Sequence, residues 1–482
     1  MSVQDEKTVS PPSERTEEEG TDEFVNEKAL IRKLDWRLIP SVTILYLLSF
    51  LDRANVGNAN VAGLSKDVGL TPSAYYTGLT LFFVGYVVLE VPWNIILKLT
   101  SPRIWLPTIT VIWGIVSALQ GLVRNRAGFW AIRFFLGLVE GGLFPGVVFY
   151  LSMWYVRRER QFRVALFFSA AALAGAFGGI LAFGLSKINA GGEHGWSWIF
   201  YVEGIITFVV GLLAYWFIEN YPSTARFVTP AERKFLQDRL AEDSDLTENE
   251  GFTWANVRAG LSDPKIYLYS FGYHFLSLPL YTIALFLPSI IENLGYSAAD
   301  AQLLTIPPYA LAAILTAVVA WVSEYYGRRA PFIMGAMVIA MIGYAILLGN
   351  TDPTGKPGIS YLGTFFAAAG IYPAVALVLS WPAVNVSGPT KRAVANALQI
   401  TIGNCGAIIG TQVYRTPDAP RFVTGHSIAM AYCFTAACVA GLTWWYLSRE
   451  NKRKEAALPG AGVEGGAGGL KGDEDLKWRF MR

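Results

Sequence analysis

The stretch LYLLSFLDRANVGNANVAG, Leu45 to Gly63, decides how this chain is read. It opens as a leucine- and aromatic-rich run suited to hydrocarbon, and Asp52, Arg53, Asn55, Asn58 and Asn60 then follow with no loop signal to admit them. An ionised side chain at the centre of a bilayer costs at least ~2.5 to 3.5 kcal/mol on insertion scales, so such residues face a partner or a watery cavity. If the helix enters the membrane near Leu38, Asp52 lies roughly 21 Å along it at 1.5 Å per residue, past the midplane. The charges therefore belong inside a protein that spans the membrane.

Composition agrees. Of the 482 residues 53% are hydrophobic, 14% aromatic and only 16% charged, against ~25% charged in a soluble domain. Long apolar segments recur along nearly the whole chain, which excludes a soluble enzyme with one anchor. A net charge of +2 gives no reason to expect a nucleic-acid partner. Cys405, Cys433 and Cys438 all lie in apolar segments and read as reduced packing residues. The N-terminus, MSVQDEKTVSPPSERTEEEGTDE, is acidic and lacks an apolar h-region, so the first span itself is expected to direct insertion. No metal-ligand cluster, nucleophile elbow or phosphate loop is present, so neither an enzyme nor a bound cofactor or metal is expected.

The expected fold is an all-α membrane protein with spans over residues 38–60, 75–98, 104–122, 128–150, 163–186, 197–218, 265–291, 299–322, 331–349, 360–383, 391–413 and 427–447. These twelve transmembrane helices divide into two six-helix bundles around a polar stretch. The expected organisation is an acidic arm and juxtamembrane segment over 1–37, a first bundle over 38–218 and a central loop over 219–264. A second bundle over 265–447 and a flexible tail over 448–482, with no core to join, complete it. In the central loop Thr229-Pro230-Ala231-Glu232 sets up a capping box that starts an amphipathic helix carrying Phe235, Leu236 and Leu240, expected on the membrane surface.

Lys and Arg crowd the loops on one side, at Lys28, Arg32, Lys33 and Arg37, then Arg157, Arg158, Arg160 and Arg163, then Arg328, Arg329, Lys391 and Arg392. By the positive-inside rule both termini are expected in the cytoplasm.

Other charges fall inside spans. Arg133, on a span running the opposite way, lies at nearly the height of Asp52, and the two are expected to face each other. Arg53 points about 100° away and needs a different partner or water. Glu140 is on the same face as Arg133, near the midplane, and Glu90 lies deeper on the second span. His274, mid-span, suits either a hydrogen bond or a proton relay. Glu203, near the outer end of the sixth span, is expected to reach interfacial water. Gly137 and Gly141, four apart, let helices pack closely in lipid.

These residues resemble a known family. Arg133-x-x-x-Gly137-x-x-x-Gly141 is similar to the fourth-helix motif of major facilitator superfamily transporters, and VSEYYGRR, Val322 to Arg329, resembles their loop motif with Glu324 at its acidic position. LDRANVGNA, VPWN, RFFLGLVEGGLFPG, WSWIFYVEG, TKRAVANA, IGN and DAPRF together look like the anion:cation symporter family, whose members include allantoate and vitamin permeases of fungi. The first-half loop, NIILKLTSPRIWLP, departs from the usual motif, and AGAFGG lacks the proline associated with exporters.

The resemblance implies the major facilitator fold and proton-driven uptake of a small organic anion by alternating access, energised by the proton gradient. It also implies a multi-pass monomer in the lipid bilayer, placed in the plasma membrane. Proton-coupling and substrate candidates are Asp52, Arg53, Asn55, Arg133, Glu140, His274, Tyr372, Trp381 and Asn404. Glu90, Glu324, Arg328, Arg329 and Arg392 are candidates for a gating latch. Alternatives are an exporter of a fungal secondary metabolite on the same fold, or a non-transporting nutrient sensor.

Overall fold

The computed structural model describes residues 25–188, 190–242, 253–457, 473, 476 and 478–482. The acidic arm up to residue 24 and residues 458–472 of the tail lie outside the described residues. The first bundle holds α1 (Glu27–Val61), the short α2 (Leu64–Val68), α3 (Pro72–Leu99), α4 (Pro102–Leu119), α5 (Arg126–Glu140), α6 (Leu143–Trp154), α7 (Arg157–Leu185) and α8 (Gly195–Phe217). The connecting stretch carries α9 (Pro230–Glu242) and α10 (Trp254–Ser262). The second bundle holds α11 (Pro264–Glu292), α12 (Ala298–Leu304), α13 (Ile306–Tyr326), α14 (Ala330–Gly349), α15 (Pro357–Asn385), α16 (Pro389–Gly410) and α17 (Val423–Ala457).

Among the described residues, twelve spans are long and apolar enough to cross a membrane. Two are broken in mid-course, where continuous helices are expected over 128–150 and 299–322. The α5–α6 break falls at Gly141 and Gly142, and Pro145 has no N–H to offer the Gly141 carbonyl. The α12–α13 break falls at Thr305, ahead of Pro307 and Pro308. Isolated prolines elsewhere, such as Pro92 in α3 and Pro373 in α15, are absorbed without a break.

The two bundles repeat one packing scheme. In the first, α1 packs on α7, α3 on α5 and α4 on α8; in the second, the corresponding pairs are α11 on α16, α13 on α15 and α14 on α17. Across the interface α1 meets α11, α3 meets α16 and α7 meets α13 and α15. Such an internal repeat places any central site on the interface between halves. Gly57 sets the closeness there, since a Cβ on it would overlap the Leu285 carbonyl oxygen of α11.

The end of the molecule where α1 begins and α17 ends is called the terminal face here, and the opposite end the far face. On the terminal face the capping box of α9 forms as its sequence predicts, Glu232 accepting from the Thr229 N–H at 2.8 Å and Thr229 from the Glu232 N–H at 3.2 Å. The helix lies against protein, where a membrane-surface helix is expected. Leu236 is fully buried, Lys33 of α1 pairs with Glu232 at 2.7 Å, and Arg239 pairs with Glu159 of α7 at 2.6 Å.

The tail corrects a second expectation, because its described end joins a core. Trp478 and Phe480 are buried, and Asp473 bonds Lys265 at 3.1 Å and Lys391 at 2.8 Å. The Asn385 side chain pairs with the Met481 backbone through two hydrogen bonds of 2.8 Å. The Phe480 ring shares the hydrophobic anchoring with Trp478 and takes the ammonium groups of Lys265 and Lys454 over its face.

Candidate functional site

The site grows from the helical geometry of α1. Asp52 and Arg53 are consecutive, so their side chains leave the helix about 100° apart and enter different environments. Both are buried, at 1% and 3% exposure.

Arg53 turns to the interface between bundles. Its Nε donates to Glu140 Oε1 of α5 at 2.6 Å, and its Nη1 donates to the Tyr281 hydroxyl of α11 at 2.6 Å. Ser49, one turn earlier on α1, also donates to Glu140 Oε1. The guanidinium sits over Tyr86 at 4.9 Å, with the Phe50, Phe82 and Tyr281 rings within 5.9 Å. Arg53 Nη2 and Glu140 Oε2 have no hydrogen-bond partner among the described residues. A pair drawn from α1 and α5 is thus tied to the other half through one tyrosine, with one donor and one acceptor to spare.

Asp52 turns into the first bundle. Trp113 Nε1 donates to Oδ2 at 2.6 Å and Ser117 donates to Oδ1 at 2.7 Å. Trp113 and Ser117 are four apart on α4, so they present one face. Arg133 donates to Gln120 Oε1 at 3.4 Å and lies 4.7 Å from the Phe82 ring centre. The expected Asp52–Arg133 pairing is therefore replaced: the arginine that meets a carboxylate is Arg53, its carboxylate is Glu140, and Asp52 is held by neutral donors. Helix height places Arg133 near Asp52 but does not give the rotation of α5 about its axis, and that rotation sends Arg133 towards Gln120.

Asn55 is buried and accepts from Asn58 at 3.2 Å, on the face of α1 that meets Gly178 of α7 rather than the face of Asp52. Glu90, expected in the terminal-face latch, is wholly buried at the interface, where Thr401 of α16 donates to it at 3.1 Å. His274 bonds the Ile402 carbonyl at 3.0 Å and packs on Tyr432 of α17, away from Arg53 and Glu140. Tyr372 is buried edge-on against Tyr309 within the second bundle, and Asn404 is buried on α16. Trp381 is not turned to the central pair, because its Nε1 donates to the Met481 carbonyl at 3.0 Å.

The expected latch residues separate. Arg329 donates to the Ser380 and Trp381 carbonyls at 3.5 Å each, and Arg392 donates to the Val386 carbonyl at 3.2 Å. Arg160, which the sequence did not single out, reaches from α7 to the Ala383 carbonyl at 3.5 Å. Three buried guanidiniums thus gather at the C-terminal end of α15, where the negative end of the helix dipole favours cations. Arg160 carries that contact across the bundle interface. Glu324 is half-buried against the Phe162 backbone of α7, whereas Arg328 is exposed.

Tyr281, Ser49, Trp113, Ser117 and Thr401 are the partners the sequence did not reveal. Only the four-residue spacing of Trp113 and Ser117 gave any signal.

Residues 42–411 match the Major Facilitator Superfamily. The chain belongs to that superfamily, and it is an integral multi-pass membrane transporter. It is 34% identical to the MFS-type transporter cnsO of Penicillium expansum, covering 96% of this chain and 91% of that one. It is 33% identical to the high-affinity nicotinic acid transporter of Saccharomyces cerevisiae, covering 90% and 80%. Among solved structures, the proton:xylose symporter XylE bound to 6-bromo-6-deoxy-D-glucose superposes with a TM-score of 0.65 at 15% identity, covering 86% of this chain and 96% of that one, a likeness of fold.

Proposed function

We propose that this transporter takes up a small organic anion, carboxylate-bearing and vitamin-like in size, in symport with protons. Its two bundles rock about the interface, both termini lie in the cytoplasm, and the protein works as a monomer in the plasma membrane.

The single observation that carries the proposal is the buried Arg53–Glu140 pair, with Tyr281 of the other bundle on the same guanidinium. A proton on Glu140 cancels its charge and releases Arg53. The freed guanidinium offers a forked donor pair that fits a carboxylate bidentately. Proton and anion then enter together, since each lowers the cost of the other. When the anion leaves, Arg53 recaptures Glu140 and expels the proton. A membrane potential adds ~2.3 kcal/mol per net charge per 100 mV, so carrying more protons than anionic charges favours uptake. Likeness to a nicotinic acid transporter supports the substrate class.

The test is uptake of radiolabelled carboxylates, nicotinate among them, by permease-deficient yeast carrying the chain, near pH 5 and near pH 7.5. Uptake of a panel member that falls at the higher pH is the expected result. Uptake insensitive to pH and to proton uncouplers would overturn the coupling, and no uptake of any member would overturn the substrate class.

A further inference from the structure

Glu203 is a buried carboxyl that the central pair leaves unused. It projects from α8, roughly 12 Å along the helix from its start on the far face at 1.5 Å per residue. Interfacial water, the expected neighbour, does not reach it, because the residue is only 1% exposed and neither carboxyl oxygen has a hydrogen-bond partner among the described residues. The helix has no slack to swing it outward. A Cβ on the adjacent Gly204 would overlap the Ala118 backbone, and α8 runs in contact with both α4 and α1.

An ionised carboxylate left unpaired in such surroundings costs several kcal/mol, whereas the neutral acid does not, so the group sits there with its proton on. Glu203 is brought towards Asp52 of α1 by way of α4: the next residue, Gly204, abuts the Ala118 backbone, and Ala118 follows the Ser117 that donates to Asp52. Asp52 differs from Glu203 in one respect that matters. Both its oxygens accept hydrogen bonds, from Trp113 and Ser117. The pocket is therefore furnished for one negative charge, on Asp52, and for one proton, on Glu203. Two neighbouring carboxyls in a dry site cannot both ionise cheaply, and they titrate as a pair.

We propose that Asp52 and Glu203 form a second proton-binding site, between α1, α4 and α8 and off the central axis, in which Glu203 carries the proton. Asp52 adjoins Arg53 in the chain, so its charge bears on the guanidinium of the central pair. Proton occupancy beside α8 is thereby coupled to the release of Glu140.

The proposal rests on proton-coupled transport, and its decisive test needs no substrate. Infrared difference spectra of the purified full chain in lipid nanodiscs, taken near pH 7, resolve the C=O stretch of protonated carboxyls. Glu203→Gln is expected to remove one such band, and Asp52→Asn to move that band without deleting it. A band set unchanged by Glu203→Gln, or unmoved by Asp52→Asn, overturns the site. If Glu203→Gln does not assemble, Glu203→Asp is read instead, and a band set identical to that of the parent overturns it equally.

A second arm uses vesicles and whichever carboxylate the yeast panel identifies. Glu203→Gln should lose about tenfold in pH-driven accumulation while exchange of internal for external substrate stays near parental. Equal loss of both would leave only a packing role and overturn the proposal. If no carboxylate is transported, the substrate class fails, and the infrared result still decides whether Glu203 holds a proton.

Discussion

Arg53 Nε meets Glu140 Oε1 at 2.6 Å, with the two side chains 3% and 0% exposed. Removing one member of such a pair strands the other as an unpaired buried charge, at about 3–5 kcal/mol, whereas replacing both by apolar groups is often close to neutral. Arg53→Met and Glu140→Leu are therefore each expected to lower thermal stability sharply, and the double variant to recover most of it. Transport should stay absent in all three. Thermal unfolding of the detergent-purified proteins checks this, and a double variant no more stable than the singles would mean the pair is not held as described.

Asp52 makes a different prediction, because its partners are neutral. Ser117→Ala removes one donor from a buried charged acceptor, with an expected loss of about 1–3 kcal/mol. In an Asp52→Asn background the same change should cost clearly less, since the acceptor no longer carries a charge. A double-mutant cycle on unfolding measures the difference. Equal costs in the two backgrounds would show that Ser117 stabilises the fold by packing alone.

The uneven legibility of the sequence follows from what each signal encodes. Hydropathy and helix length report which residues lie in the membrane, and they located the twelve spans closely because lipid imposes that pattern everywhere. They also report height, which is why Arg133 and Asp52 were drawn to the same level. Rotation about a helix axis is decided by packing against neighbours that no single span reveals. So the exchange of Arg133 for Arg53 as the partner of a carboxylate was invisible, as was the inward turn of Glu203. The breaks at Gly141 and Thr305 had local causes, glycine pairs and proline pairs, and were readable in principle. Burial of Trp478 and Phe480 was not, because two aromatic rings in a glycine-rich, charged tail carry no helical periodicity.

Gly137 offers a test of close approach. A Cβ there would overlap the Phe82 carbonyl oxygen of α3, with the Tyr86 backbone N just beyond it at 3.0 Å. Even Gly137→Ala must push α3 and α5 apart. Because Glu140 lies one turn further along α5 and Tyr86 flanks Arg53, the separation should disturb the central pair as well as packing. Overpacking of this kind costs about 1–3 kcal/mol. Gly137→Ala is expected to lower both unfolding temperature and uptake rate, and Gly137→Val to lower them further. Parental behaviour of Gly137→Val would show that α3 and α5 are not in contact along this line.

The tail gives the prediction with a pH sign. Burial alone pushes the Asp473 carboxyl up, but Lys265 and Lys391 outweigh it and hold the group below its ordinary value. A carboxylate depressed in the docked state stabilises docking above its free value, about 3.9, and that contribution is lost as pH falls through the lowered one. Docking of the last residues is therefore expected to be constant from pH 8 to pH 5 and to weaken only below about pH 4. Asp473→Asn should weaken it at every pH. A nitroxide on Arg482→Cys, in a chain whose exposed Cys405 and Cys438 are replaced by alanine, reports the change as narrowing of the spectral lines. Narrow lines at neutral pH in the otherwise unchanged chain would mean that Trp478 and Phe480 do not hold the tail in place. Lines equally broad in Asp473→Asn would assign the anchoring to the two aromatic rings and the Asn385–Met481 pairing alone.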